Sequence, residues 1–164
     1  MVKKILKTIP LKIKMNKIIW LTGQSDAGKT TLANLIVNET DCIILDGDEM
    51  RASISLGLGY SIEDRKENQY KIARLAKVLS NQRDVIVSSI APTQEIRNEI
   101  TNICNPNWCY IKMTLPKRKN HIYEEPTDMY TIDNDFLRPD EALKMFMKKY
   151  YNPNNIKQTH NNNI

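Results

Sequence analysis

Eight residues, Gly23-Gln24-Ser25-Asp26-Ala27-Gly28-Lys29-Thr30, fit the pattern G-x-x-x-x-G-K-[ST] and follow the apolar run Ile18-Ile19-Trp20-Leu21. A strand leading into such a turn, with a helix leading out, is the setting in which this pattern binds phosphate. The glycines let the backbone curl until successive N–H groups point at phosphate oxygens, and the following helix adds the positive end of its dipole. Lys29 is placed to reach the β- and γ-phosphates of a nucleotide and the Thr30 hydroxyl to ligate Mg²⁺, with Thr31 next along the helix. A chance match is expected about once in a few hundred chains of this size. The flanking patterns make a merely structural glycine turn the poorer explanation.

A second group of candidates follows the next apolar run. Cys42-Ile43-Ile44-Leu45 ends in Asp46-Gly47-Asp48, two carboxylates that can both face a cleft while Gly47 lets the chain turn. Phosphoryl transfer needs an acceptor hydroxyl held in line, and a carboxylate can orient it and take its proton. Mg²⁺ also prefers carboxylate and water oxygens. Asp46 or Asp48 could serve either need. Arg51, Arg65 and Asn68 add two guanidinium groups and an amide, suited to phosphate-like groups, and Tyr60 offers a ring for a base.

These residues are positioned by alternating strand and helix patterns. Strands are expected at 17–22, 42–45, 85–89, 108–113 and 129–132, the run at 42–45 reading as one buried on both faces of a parallel sheet. Helices are expected at 29–38, 49–56, from Ser61 as N-cap to about 81, at 94–104, and from Pro139 onward. Leu32, Leu35 and Ile36 form the inward face of the first helix, and Leu143, Phe146, Met147 and Tyr150 that of the last. The stripe Ile72, Leu75, Ala76, Leu79, continued backward at helical spacing, meets Asn68 and Arg65. A stripe that turns polar at one end faces a cleft there. The pattern predicts a three-layer α/β sandwich with a mostly parallel five-stranded sheet. Ligands of such sheets lie beyond the carboxyl ends of the strands, where the glycine loop, residues 46–48 and residues 88–92 converge.

With 164 residues, 41% hydrophobic and 26% charged, the chain has the makings of one globular domain, expected at 17–151. The net charge of +5 suits polyanionic small molecules. The cations are spread along the chain without an arginine-rich arm, so nucleic acid is not the expected partner. No apolar run is as long as a membrane span. Cys42, Cys104 and Cys109 are odd in number and lack metal-ligand spacing, and Cys42 and Cys109 sit in or beside apolar strand-like runs, which predicts buried reduced thiols there and a cytoplasmic setting. Residues 1–16 mix Lys with Ile and Leu around Pro10, which interrupts any helix, so a flexible basic extension is expected there. An Asn-rich, disordered tail is expected at 152–164.

GQSDAGKTT, LDGDEMR, LGLGYSIEDRKENQYKIARLAK, SSIAPTQEIR and IYEEPTDMYTIDNDFLRPDEAL resemble, in order and spacing, the adenylylsulfate (APS) kinase family. The resemblance runs from Lys17 to Tyr150 and implies a P-loop nucleoside triphosphate kinase-like fold, with Mg·ATP phosphorylating the ribose 3′-hydroxyl of a nucleotide. It implies Asp46 as the acceptor-hydroxyl base; Lys29, from the glycine loop, is the other expected catalytic residue, and Thr30 and Asp48 are the expected metal-binding residues. It also implies Asp48, Arg51, Arg65 and Asn68 as holders of the acceptor, Tyr60 in place of a family Phe against the acceptor base, and Ile90 lining that pocket. A small-molecule nucleotide is the implied partner, and a homodimer is one assembly considered.

The departures from the family are informative. Gln24 and Asp26 replace the usual Leu and Gly, and Ala91 stands where some members carry a phosphorylatable Ser, so a phosphoserine intermediate there is impossible. The family's long lid, with a second base-stacking Phe, is reduced to residues 116–121. Within it Lys117, Arg118 and Lys119 could grip phosphate or form a solvated turn. Half of the base clamp is thus missing, which favours a smaller base. Related kinases act in bacterial capsule phosphoramidate synthesis on cytidine diphosphoramidate, and that acceptor is preferred, with APS itself as the alternative.

Overall fold

The computed structural model describes residues 16–116 and 122–152. In chain order the elements are β1 (Ile18–Thr22), α1 (Lys29–Glu39), β2 (Ile43–Asp46), α2 (Gly47–Arg51), α3 (Ile62–Leu79), β3 (Val85–Ser88), α4 (Gln94–Cys104), β4 (Asn107–Lys112), β5 (Tyr130–Asp133) and α5 (Pro139–Tyr150). The strands form one sheet in the order β2-β3-β1-β4-β5, and every pairing is parallel.

β1 lies at the centre, and all five of its residues are buried. Successive side chains of a strand point to opposite faces. Ile19 and Leu21 accordingly pack with Leu32, Ala33 and Ile36 of α1 and with Phe146 of α5. Ile18 and Trp20 pack on the other face with Ile72 and Ala76 of α3 and Ile96 and Ile100 of α4. The three expected layers follow. Each large apolar side chain buried in them contributes about 1.5–3 kcal/mol.

Register decides where the site is built. Leu21 pairs with Ser88, and Ser88 pairs with Asp46, so β1, β3 and β2 end level with one another. The residues that follow those ends are the glycine loop, the head of α2 and the segment 89–92.

Two expectations need correction and one is refined. Residues 42–45 do pack on both faces, Cys42 and Ile44 with one core and Ile43 and Leu45 with the other, but β2 is an edge strand and within it only Leu45 is fully buried. The short helix begins at Gly47 rather than 49, because the Asp46 side chain caps it, and it ends at Arg51. In α3 the core positions are Ile72, Ala73 and Ala76, with Leu75 and Leu79 only partly buried at the rim. Ser61 does cap α3, accepting from the Asp64 N–H.

No helix among the described residues is long and apolar enough to cross a membrane. The N-terminal extension up to residue 15, the cations Lys117, Arg118 and Lys119, and the tail from 153 lie outside the described residues.

Candidate active site

The glycine loop is fixed by its neighbours. A Cβ on Gly23 would run into the Ile111 carbonyl oxygen. Gly28 opens α1 at φ 96°, in the left-handed region, and a Cβ there would lie 2.7 Å from Asn134 Nδ2. That amide donates to Ala27 O at 2.7 Å and so braces the loop from the end of β5.

Helix α1 differs from the others at its N-terminus. Asp46, Ser61 and Thr93 side chains cap α2, α3 and α4, and α5 carries Asp140 and Glu141 in its first turn. α1 has neither a side-chain cap nor an acid in its first turn. The first N–H groups of a helix have no carbonyl partner within it, and their positive partial charge attracts anions. Among the described residues no side chain competes for them as a cap in α1.

Lys29 lies under this loop, donating to Gly23 O at 2.9 Å and Gln24 O at 2.6 Å. Burial is the main cause that pulls its ammonium down to about 8, with Asp48, Asp46 and Asp26 opposing. Thr30 Oγ1 donates to Asp46 Oδ2 at 2.8 Å and lies 3.2 Å from Ser88 Oγ. The other Asp46 oxygen accepts from the Asp48 N–H at 3.0 Å and the Glu49 N–H at 3.4 Å. One carboxylate therefore caps α2 and meets the head of α1. Gly47 is required beside it, since a Cβ would come within 2.6 Å of Ser89 Oγ.

The far wall comes from the α2–α3 connection. Arg51 Nη1 donates to Gly59 O at 2.7 Å and Arg65 Nε to Tyr60 O at 2.9 Å. The Tyr60 ring lies 4.7 Å from the Arg51 guanidinium carbon and 5.7 Å from that of Arg65, yet Tyr60 stays 72% exposed. Much of the ring is open to a further stacking partner. Asn68 is 1% exposed, and its Oδ1 has no hydrogen-bond partner among the described residues. A buried carbonyl of that kind calls for a donor.

These groups surround one cleft of about 740 Å³. All the site residues expected from the sequence line it except Gly23, Gln24 and Ala27. Those three lie beneath: Ala27 is buried in the core, and the other two turn their carbonyls to Lys29. A second cleft, about 620 Å³, lies between α4, the start of β4 and the end of α5, and it lacks both the glycine loop and the paired carboxylates.

The sequence reading missed three supporting residues. Gln69 lines the cleft and accepts from Ser89 Oγ at 2.9 Å; its signal was its place beside Asn68 at the polar end of the α3 stripe. Asn134 carried no local signal, because its partner lies 107 positions away. Arg97 sits among Ile96 and Ile100 on the buried face of α4, where an interrupted apolar stripe could have flagged it. Burial lowers its guanidinium below the usual value.

Among the described residues, the cleft offers a metal ion oxygen donors, the Thr30 hydroxyl and the Asp46 and Asp48 carboxylates at the junction of α1 and α2, with Asp26 and serine hydroxyls elsewhere on its lining. Among the described residues no cluster of three or more His, Cys, Asp or Glu could hold an ion by itself. A sparse oxygen set fits Mg²⁺, which keeps waters and takes substrate phosphates as ligands.

Comparison with known proteins agrees with this geometry. The family model described as adenylylsulphate kinase matches residues 15–138. The chain is 43% identical over 166 residues to an adenylyl-sulfate kinase of Pseudomonas aeruginosa, covering 82% of this chain and 85% of that protein. A probable adenylyl-sulfate kinase of Bacillus subtilis is 37% identical over 109 residues, 61% of this chain but 55% of its own length. Against relatives such as the latter, the match thus spans only about half of the protein. In fold, the chain matches a Mycobacterium tuberculosis APS kinase solved with AMPPNP and APS at TM-score 0.69 and 21% identity, over 80% of this chain and 96% of that one.

Proposed function

The chain belongs to the adenylylsulphate kinase family, and from that premise we propose that it transfers the γ-phosphoryl group of Mg·ATP to the ribose 3′-hydroxyl of a small nucleotide. The observation that carries this reading is the meeting of Thr30 and Asp46 at 2.8 Å, which brings the head of a phosphate-binding helix against a carboxylate able to take a proton.

In this reading the uncapped head of α1 and the loop N–H groups hold the triphosphate, and Lys29 adds a charge that the protein keeps pre-positioned through two loop carbonyls. Thr30 and Asp48 would hold Mg²⁺, which neutralises charge on the β- and γ-phosphates when bound. Asp46 orients the acceptor hydroxyl and accepts its proton as the new O–P bond forms. Arg51 and Arg65 face the acceptor's own anionic groups, Asn68 Oδ1 accepts from an N–H or O–H of the acceptor, and Tyr60 supports its base. Ile90 closes the pocket on the β3 side.

For the acceptor we propose cytidine diphosphoramidate. Tyr60 is the one aromatic side chain lining the cleft among the described residues, which suits a single-sided platform under a pyrimidine. APS is the second reading, and the names of the relatives favour it. Measuring kcat/KM with Mg·ATP and each of the two acceptors decides between them. Transfer to the cytidine compound at least about tenfold more efficient than to APS is expected, a ratio equivalent to about 1.4 kcal/mol. Preference for APS would replace the first acceptor by the second, and transfer to neither would remove the kinase reading.

A further inference from the structure

Four consecutive carbonyls beyond β3 are each held by a donor, two from β1, one from α4 and one from the segment before β5. Trp20 Nε1 donates to Ser89 O at 3.1 Å and Thr22 Oγ1 to Ile90 O at 2.6 Å. Arg97 Nη1 donates to Ala91 O at 2.9 Å, and the Glu124 N–H to Pro92 O at 2.8 Å. Between them, Ala91 adopts φ 39°, in the left-handed region that an L side chain disfavours. A conformation of that kind persists only where the surroundings over-determine it, and such places cluster at functional sites. Ser89 and Ile90, at the start of this strap, line the cleft.

Arg97 is the hub of the arrangement. It is 1% exposed, and its Nη2 also donates to Gln94 Oε1 at 3.2 Å and to Glu124 O at 2.9 Å. All its acceptors are neutral, because the Glu124 carboxylate is turned to the Gln94 N–H. Its guanidinium lies 5.8 Å from the Tyr123 ring, and the Tyr123 hydroxyl is 3.1 Å from the same Thr22 Oγ1 that holds Ile90. A buried cation whose hydrogen bonds all go to neutral acceptors, with the Glu124 carboxylate acting on it only through space, is an expensive way to fill a core position, which an apolar side chain could occupy more cheaply. What an apolar residue lacks is a rigid fork that reaches carbonyls on two separate segments at once.

We propose that Arg97 is a positioning residue for the phosphoryl acceptor: its fork clamps the strap at Ala91 to the segment at Glu124, and so fixes the Ile90 wall against which the acceptor nucleotide lies opposite Asp46. This assignment rests on the nucleotide-kinase reading for its effect on the acceptor, though not for the clamp itself. A pocket wall displaced by about 1 Å can lower transfer by as much as ~100-fold without touching the reacting atoms.

The test pairs hydrogen exchange on the unliganded protein with steady-state kinetics, using whichever of the two acceptors wild type phosphorylates. In Arg97→Met, the amides of residues 89–92 that carry an N–H exchange at least about tenfold faster, while those of β1 are unchanged. The acceptor KM rises about tenfold and the ATP KM stays within about twofold, a split that loss of folded protein does not produce. Arg97→Lys, which keeps the charge but loses the fork, shows a smaller rise. If Arg97→Met fails to fold, Thr22→Val removes a second donor to the strap and is expected to raise the acceptor KM in the same way. Unchanged exchange in the strap, or equal rises in both KM values, overturns the assignment. Faster exchange in a protein whose wild type phosphorylates neither nucleotide supports the clamp and overturns the kinase reading instead.

Discussion

Asp46 Oδ2 accepts a hydrogen bond from Thr30 Oγ1 at 2.8 Å, so the heads of α1 and α2 meet through one carboxylate whose other oxygen caps α2. The structural and chemical duties of Asp46 can therefore be separated by substitution. Asn caps a helix about as well as Asp but cannot accept the acceptor's proton, so Asp46→Asn is expected to melt like wild type while kcat falls about 10²- to 10⁴-fold. Asp46→Ala loses the cap as well and is expected to be about 1 kcal/mol less stable. Thermal melting and turnover on the same samples check both statements. Full kcat in a folded Asp46→Asn protein would remove Asp46 as the base.

Gly28 is constrained twice, by its φ of 96° and by Asn134 Nδ2 at 2.7 Å from where a Cβ would stand. Gly28→Ala is expected to destabilise the fold by at least about 1 kcal/mol from the backbone alone, and to weaken ATP binding. Asn134→Ala gives up its hydrogen bond to Ala27 O, at about 1 kcal/mol. The double variant relieves the collision but not the backbone strain, so its loss should fall short of the sum of the singles by about 0.5 kcal/mol or more. Urea titrations of the four proteins measure this coupling, and strict additivity would show that the Asn134 side chain swings clear.

The parts of this molecule that were legible in the sequence are those with a local signal. Strand and helix order, the glycine loop and the Ser61 cap all depend on residues within a few positions of each other. The polar end of the α3 stripe foretold the cleft for the same reason: Asn68 keeps helical phase with Ile72. What was missed was mostly non-local. The edge position of β2 was not legible in residues 42–45, because an apolar run looks the same at the centre of a sheet and at its edge, and only the order of strands decides. One miss was local: residues 46–48 read as a turn, although Asp46 caps the helix that starts there through the N–H groups two and three positions on. Asn134 and Arg97 gain their meaning from partners that the fold alone brings near.

The thiols should be inert in the folded protein. Burial pushes both Cys104 and Cys109 up to about 12, and it raises Cys42 as well. A thiolate is the reactive form, so a maleimide or disulfide reagent at pH 8 is expected to label none of the three until denaturant is added. Rapid labelling of Cys109 in native protein would contradict its burial beneath α5.

Lys29 makes a prediction whose sign differs between folding and binding. Its ammonium titrates near 8 in the fold against 10.5 in an unfolded chain, chiefly because it is buried. Between those values the unfolded chain holds more protons, so stability rises with pH across that window, and the penalty of burying the charge is fully present below about 8. Binding of ATP runs the other way. Phosphate favours the charged amine, so affinity for the analogue AMPPNP should fall as pH rises through about 8, approaching tenfold per pH unit above it. Because bound phosphate returns the proton to Lys29, calorimetry near pH 9 in buffers of different ionisation enthalpy should show an uptake approaching one proton per site. Lys29→Arg keeps its charge throughout and should bind without this dependence, while Lys29→Met should bind weakly at every pH. Were wild-type affinity flat from pH 7 to about 9.5, the Lys29 ammonium would have to be held above that range by the three aspartates around it, and burial would no longer be the larger influence.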